Sequence, residues 1–152
     1  MPLLDVKDLK TYFRTDDGIV KAVDSVTFGV EKGRTLGIVG ESGCGKSVTC
    51  LTIMGLNNRR RTISSGEANW KGENLIGMSP RRLREIRGNE IAMIFQDPMT
   101  SLNPVHTIGR QLVEAILLHQ DVTKQAARGR ALELLKAVGI PRADQRVGDY
   151  PH

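Results

Sequence analysis

The chain has 152 residues, 39% of them hydrophobic and 26% charged, enough for one domain that buries a sizeable core, and a composition that argues against disorder. No apolar run approaches the roughly 18 to 20 residues of a membrane span, and Met1-Pro2-Leu3-Leu4-Asp5 lacks the basic-then-apolar form of a signal peptide, so a cytosolic chain is expected. The net charge of +5 comes largely from Arg59-Arg60-Arg61 and from Arg81, Arg82, Arg84 and Arg87, which read as a solvated loop and a solvated helix face. Cys44 and Cys50 have neither disulfide-framework nor metal-ligand spacing.

In chain order, residues 3–9 alternate apolar and polar as a strand with one wet face does. Asp16-Asp17-Gly18 is a turn signal that returns the chain into residues 19–23, and Val26, Phe28 and Val30 alternate again up to Glu31-Lys32-Gly33. Residues 1–34 are therefore expected to form an antiparallel β layer. Tyr12 and Phe13 suit either strand packing or an aromatic platform for a flat ring.

Thr35-Leu36-Gly37-Ile38-Val39 reads as a buried strand, and Gly40-Glu41-Ser42-Gly43-Cys44-Gly45-Lys46-Ser47 follows it, with Val48 opening a helical stretch up to Met54. This matches G-x-x-x-x-G-K-[ST] at every fixed position. The glycines let the backbone turn tightly, so that successive N–H groups face one anion at a helix N-terminus. Lys46 adds a full cation, and Ser47 offers a hydroxyl oxygen of the kind Mg²⁺ takes beside phosphate. A plain Gly-rich connector is the weaker reading, because the strand and helix stand where a phosphate-binding loop requires them.

Residues 57–66 are polar, Arg-rich and end in Ser64-Ser65-Gly66, and are expected to be loop; a short strand around Trp70 follows. Ser79-Pro80 is a helix start leading to Arg87-Gly88. Ile91-Ala92-Met93-Ile94-Phe95 has the continuous apolar character of a parallel strand buried on both faces. Gln96 at its carboxyl end stands where open α/β sheets place ligands, and Asp97-Pro98 turns the chain. Helical period then appears at Ile108, Leu112 and Ile116, and again from Thr123 through Ala127, Ala131, Leu134 and Leu135, until Gly139 and Pro141 end it.

Gly40 to Ser47, the segment Met93-Ile94-Phe95-Gln96-Asp97-Pro98 and Phe13 together resemble the ATP-binding subunit of an ABC transporter. The run through Met99-Thr100-Ser101-Leu102-Asn103-Pro104 is most similar to the oligopeptide and dipeptide import branch. The resemblance implies an α/β P-loop NTPase of ABC type, with an N-terminal antiparallel β layer, a P-loop core over residues 35–97 and the start of a helical subdomain over 98–152. It implies ATP and Mg²⁺ as cofactors. Phe13 would stack on adenine, and Gly40, Glu41, Ser42, Gly43, Cys44, Gly45, Lys46, Ser47 and Val48 would hold the phosphates. Lys46 would act on the β- and γ-phosphates, and Ser47 with Gln96 would address Mg²⁺ and the attacking water. It implies partners too: a second ATPase subunit in a head-to-tail dimer, transmembrane permease subunits and, indirectly, an extracytoplasmic solute-binding protein. The subunit would lie on the inner face of the cell membrane.

Tyr150-Pro151-His152 leads, in that family, into an L-S-G-G signature. No Leu-Ser-Gly-Gly and no apolar strand ending in Asp-Glu occur in these 152 residues, and His106 and His119 lack the surroundings of the family's switch histidine. The front part of such an ATPase is therefore expected, inactive by itself. The competing reading is a soluble ABC-type ATPase acting on nucleic acid or ribosomes through its Arg clusters. The lack of aromatics interleaved with those arginines disfavours it.

Overall fold

The structure is a computed structural model and describes residues 2–96 and 101–152. The chain forms two compact units, Met1–Arg84 and Glu85–His152.

In the first unit, β1 (Leu4–Thr15) and β2 (Gly18–Val30) form the hairpin that Asp16-Asp17-Gly18 predicts, with Thr15 opposite Gly18. Gly18 takes a φ of 129°, and its carbonyl accepts from the Thr15 hydroxyl at 2.9 Å. On the other edge of β1 lies β3 (Thr62–Trp70), followed by β4 (Glu73–Asn74), giving an antiparallel sheet of order β2-β1-β3-β4. Helix α1 (Lys46–Ile53) packs against β1 and β2. Val6, Leu9 and Ala68 from the sheet are fully enclosed, with Ile53 of α1, Leu75 and Leu83 also buried. Each large aliphatic side chain so removed from water contributes about 1.5–3 kcal/mol.

Three expectations need correction here. Residues 62–66 are strand, not loop. Gly66, at φ +90°, occupies an irregularity in the β1–β3 ladder, where a Cβ would run into the Asp8 carbonyl, so its turn-like composition marks a bulge. Residues 35–39 do not form a strand: Val39 is 96% exposed, and Leu36 and Ile38 are exposed as well. Among the described residues, 91–95 likewise make only one parallel bridge, Arg87 to Ile91, and Ile94 is 95% exposed. An apolar run becomes a buried strand only when neighbouring strands take up its N–H and C=O groups. Among the described residues none pairs with these two runs in that way.

The boundary between the units falls within α2 (Pro80–Ile86), whose Ser79 accepts from the Arg82 N–H at 3.3 Å, as its sequence predicts. The second unit contains α3 (Ile108–His119), α4 (Lys124–Ala137) and the short α5 (Ala143–Arg146). Thr107 and Thr123 cap α3 and α4, accepting from the N–H groups of Arg110 and Ala126. Ile116 packs with Ala127 and Ala131, and Leu135 with Ala143 and Val147, while Leu112 joins both clusters. The turn expected at Asp97-Pro98-Met99-Thr100 lies outside the described residues. No helix among those described is long and apolar enough to cross a membrane.

Candidate functional site

The site is built on the loop from Gly40 to Ser47. Gly43 and Gly45 take φ values of 82° and 95°, the left-handed region that glycine enters without strain, and Gly45 is the N-cap of α1. Among the described residues no side chain caps that end. The N–H groups of Lys46, Ser47 and Val48 in the first turn have no intrahelical acceptor by the geometry of a helix, so they point out of its N-terminus as donors.

Lys46 folds back into the loop. Its ammonium donates to the carbonyls of Gly40 and Glu41, both at 2.6 Å, and lies 3.4 Å from the Cys44 sulfur. Gly40, Glu41, Cys44 and Lys46 are thus gathered around one point. At Gly40 a Cβ would collide with the Cys44 sulfur, so residue 40 must also be small. Glu41, Ser42, Gly43, Cys44 and Ser47 are exposed, Lys46 and Val48 are half-buried, and Gly45 is buried.

What holds the loop in place is β2. Gly45 is pressed against the Ala22 carbonyl and the Val23 side chain. Sequence reasoning missed Ala22, because its part is played by a backbone oxygen, which leaves no mark on residue type. A hollow of about 560 Å³ separates residues 36–39 from β2 and is bordered by Val23, Asp24, Phe28 and Lys46. Asp24 accepts a hydrogen bond from the Tyr12 hydroxyl at 2.5 Å. That bond holds the Asp24 carboxyl below the usual carboxylate range and raises the Tyr12 phenol, in each case as the largest cause.

Helix α1 is fixed from beneath by hydroxyls. Thr49 donates to the Gly45 carbonyl at 2.9 Å, and Thr52 to the Val48 carbonyl at 2.7 Å. The Thr52 oxygen also meets the Thr11 hydroxyl of β1 at 2.8 Å and accepts from the Asn57 amide at 2.7 Å. Phe13 lies in β1 between Val20 of β2 and Thr62 of β3 and is half-buried, beside the exposed Ile19 and Val20. Gln96 belongs to the second compact unit and is exposed.

The donor set fits a polyphosphate: a flexible cation, outward first-turn amides and glycine where the backbone comes closest. It fits Mg²⁺ only as a shared ion. Among the described residues no group of three His, Cys, Asp or Glu could hold a metal, so Ser47 would supply one oxygen and the phosphates and water the remainder. A Gly-rich loop at a helix N-terminus with an enclosed lysine defines a P-loop nucleotide-binding protein.

The family described as ABC transporter matches residues 23–152, and the chain belongs to it. It is 51% identical over 152 residues to the probable peptide ABC transporter ATP-binding protein y4tR of Sinorhizobium fredii, covering 99% of this chain and 45% of that protein. It is 52% identical over 151 residues to the dipeptide transport ATP-binding protein DppD of Lactococcus lactis, covering 99% of this chain and 43% of that one. The chain therefore spans less than half the length of these curated relatives. Its fold matches the dimeric structure of the ATP-binding cassette MJ0796, in a post-hydrolysis state bound to ADP and Pi, with a TM-score of 0.81 at 22% identity. That match covers 97% of this chain and 61% of the solved one. The fold is the ABC type of P-loop NTPase, with its N-terminal antiparallel sheet and its helical subdomain.

Proposed function

We propose that this chain forms the adenine- and phosphate-binding part of the ATP-binding subunit that energises a peptide importer. The observation that carries the reading is the Lys46 ammonium held by the Gly40 and Glu41 carbonyls at the N-terminal end of α1. A phosphate oxygen takes over as partner of that ammonium, and the amides of residues 45–48 complete the cradle. The names of the relatives, which are peptide and dipeptide transport proteins, support the solute class.

In this reading Phe13 stacks on adenine, and residues Gly40, Glu41, Ser42, Gly43, Cys44, Gly45, Lys46, Ser47 and Val48 enclose the phosphates. Ser47 gives its hydroxyl oxygen to Mg²⁺, and the Gln96 amide orients water and reports the nucleotide's state to the helices that follow. ATP with Mg²⁺ supplies the phosphoryl group and its charge neutralisation. Residues 1–34 form the β layer, 35–97 the P-loop core and 98–152 the beginning of the helical subdomain. A second ATPase subunit arranged head to tail, transmembrane permease subunits and, through them, a solute-binding protein are the partners. The subunit then rests on the cytoplasmic face of the membrane.

Equilibrium binding of a fluorescent ATP analogue tests the central claim. Saturable binding that unlabelled ATP competes for, and that Lys46→Ala weakens about ten- to a hundredfold, is the expected result. Equal affinity in the variant sinks it.

A further inference from the structure

The second compact unit holds a hollow of about 340 Å³ between the starts of α3 and α4 and the chain after α5, bordered by Thr107, Arg110, Val113, Lys124, Arg128 and Gly148. Of the eight residues that line it, three are cationic and none is acidic. The backbone does not explain them. Thr107 already caps α3, and the N–H groups of Ile108 and Gly109 donate to the Asp149 and Val147 carbonyls at 2.9 and 2.8 Å.

Among the described residues, Lys124 and Arg128 form no ion pair, and Arg110 meets only the His106 ring, at 3.2 Å. Asp149 pairs with Arg146 at 3.3 Å, and Asp144 shares with Arg128 an adjoining hollow without bonding to it. Neither α3 nor α4 carries an acid in its first turn, where the helix dipole favours one, and Arg110 and Lys124 stand there instead. Arg110, Lys124 and Arg128 are all exposed, so solvent screens their mutual repulsion, but an anion held among them in the hollow meets three cations at once.

We propose that this hollow is a second anion site, separate from the P-loop, which binds a phosphate group through Arg110, Lys124 and Arg128. The group is the one shown by a free phosphorylated metabolite or an anionic phospholipid headgroup. The volume exceeds that of a bare phosphate, so the rest of such a molecule has room to leave through the open side. Arg110 and Arg128 offer planar forks suited to two phosphate oxygens, and Lys124 a point charge.

The test is titration of the ¹⁵N-labelled full chain with inorganic phosphate, read at the amides of Gly109, Arg110 and Gly148. These report on the hollow independently of Gly43 to Ser47, so failure here is distinct from failure of the nucleotide reading. Saturable shifts at 109, 110 and 148 are expected. The double variant Lys124→Ala/Arg128→Ala should weaken them roughly a hundredfold or more, on the ten- to hundredfold that each charge-assisted contact carries, while the P-loop amides still respond. Arg128→Lys should retain part of the affinity.

Co-sedimentation with phosphatidylglycerol vesicles, against phosphatidylcholine vesicles, then assigns the source. Binding that the double variant loses marks a headgroup site, and phosphate shifts without vesicle binding mark a free metabolite. Absence of saturable shifts at the three amides overturns the proposal. So does salt-sensitive binding of an RNA oligomer through the same arginines with no response to inorganic phosphate, which points to nucleic acid instead.

Discussion

Gly45 is set against the main-chain carbonyl of Ala22 so closely that a methyl group on its Cα would overlap that oxygen. The contact ties the phosphate loop to β2, and the φ of 95° at Gly45 adds a second reason for glycine. Gly45→Ala therefore combines backbone strain of about 1–3 kcal/mol with overpacking of about 1–3 kcal/mol. Urea unfolding should show the loss of stability, and ATP affinity should fall with it, because α1 cannot hold its place. A variant as stable as the parent would show that the loop does not rest on β2.

The sheet and helices were legible where short-range signals act. Asp16-Asp17-Gly18 announced the hairpin, Ser79-Pro80 announced α2, and Thr123 with Gly139 bounded α4. Gly40 to Ser47 was legible as a site because its residue types are its chemistry. Ser64-Ser65-Gly66 misled, since a glycine that serves a bulge looks the same in sequence as one that serves a turn, and only the pairing with β1 distinguishes them. Residues 35–39 and 91–95 misled for the opposite reason. Their composition is that of buried strands, but burial is a property of neighbours and not of the run itself. The Ala22 carbonyl and the cationic hollow between α3 and α4 needed the fold before they could be seen at all.

The Thr11–Thr52 hydroxyl pair gives an ordered pair of outcomes. The Thr52 hydrogen goes to the Val48 carbonyl, so its oxygen accepts from both Thr11 and Asn57. Thr11→Val removes one donor and should cost about 1 kcal/mol. Thr52→Val leaves two donors without an acceptor, each costing about 1–3 kcal/mol when buried, and should be the more damaging change. Chemical denaturation of both variants and of Asn57→Ala checks the order, and a smaller loss for Thr52→Val than for Thr11→Val would contradict it.

The Tyr12–Asp24 bond makes the hairpin sensitive to pH at both ends. Asp24 is lowered, so its contribution is present above the unfolded carboxylate value of about 3.9 and disappears as pH falls through the folded value. Tyr12 is raised, so its contribution is present below about 10 and disappears as pH rises through its folded value. Asp8, lowered chiefly by the Ser25 hydroxyl and then by Lys10, adds to the acid limb. Asp24→Asn should flatten part of the acid limb and Tyr12→Phe the alkaline one, as read by thermal unfolding between pH 3 and 11. Unchanged profiles in both would remove the bond as a cause.

Cys44 is exposed beside Lys46, in the loop that closes on phosphate, whereas Cys50 is exposed within α1. Bound Mg-ATP should therefore shield Cys44 from alkylation and leave Cys50 labelled as before. Mass spectrometry of the two peptides decides it. Equal labelling of Cys44 with and without nucleotide would place the ligand elsewhere.

The last prediction concerns residues 1–152 as an isolated chain. Val39 and Ile94 are almost fully exposed, and Leu36, Ile38 and Phe95 close to half exposed, on two runs whose composition suits burial between strands. Their backbone groups offer a template on which another chain can pair, and their side chains add apolar contact area. No Leu-Ser-Gly-Gly and no strand ending in Asp-Glu occurs in these residues, so Lys46 and Ser47 can grip phosphate without a carboxylate to activate water. Weak ATP binding, self-association that rises with concentration, and no Mg²⁺-dependent turnover follow. Light scattering and phosphate release should be compared with those of the same chain extended by the carboxyl-terminal part of the Lactococcus relative. Val39→Lys with Ile94→Lys should reduce scattering by the short chain. A monomeric short chain with turnover near that of the extended one would refute both the missing base and the role of the exposed runs.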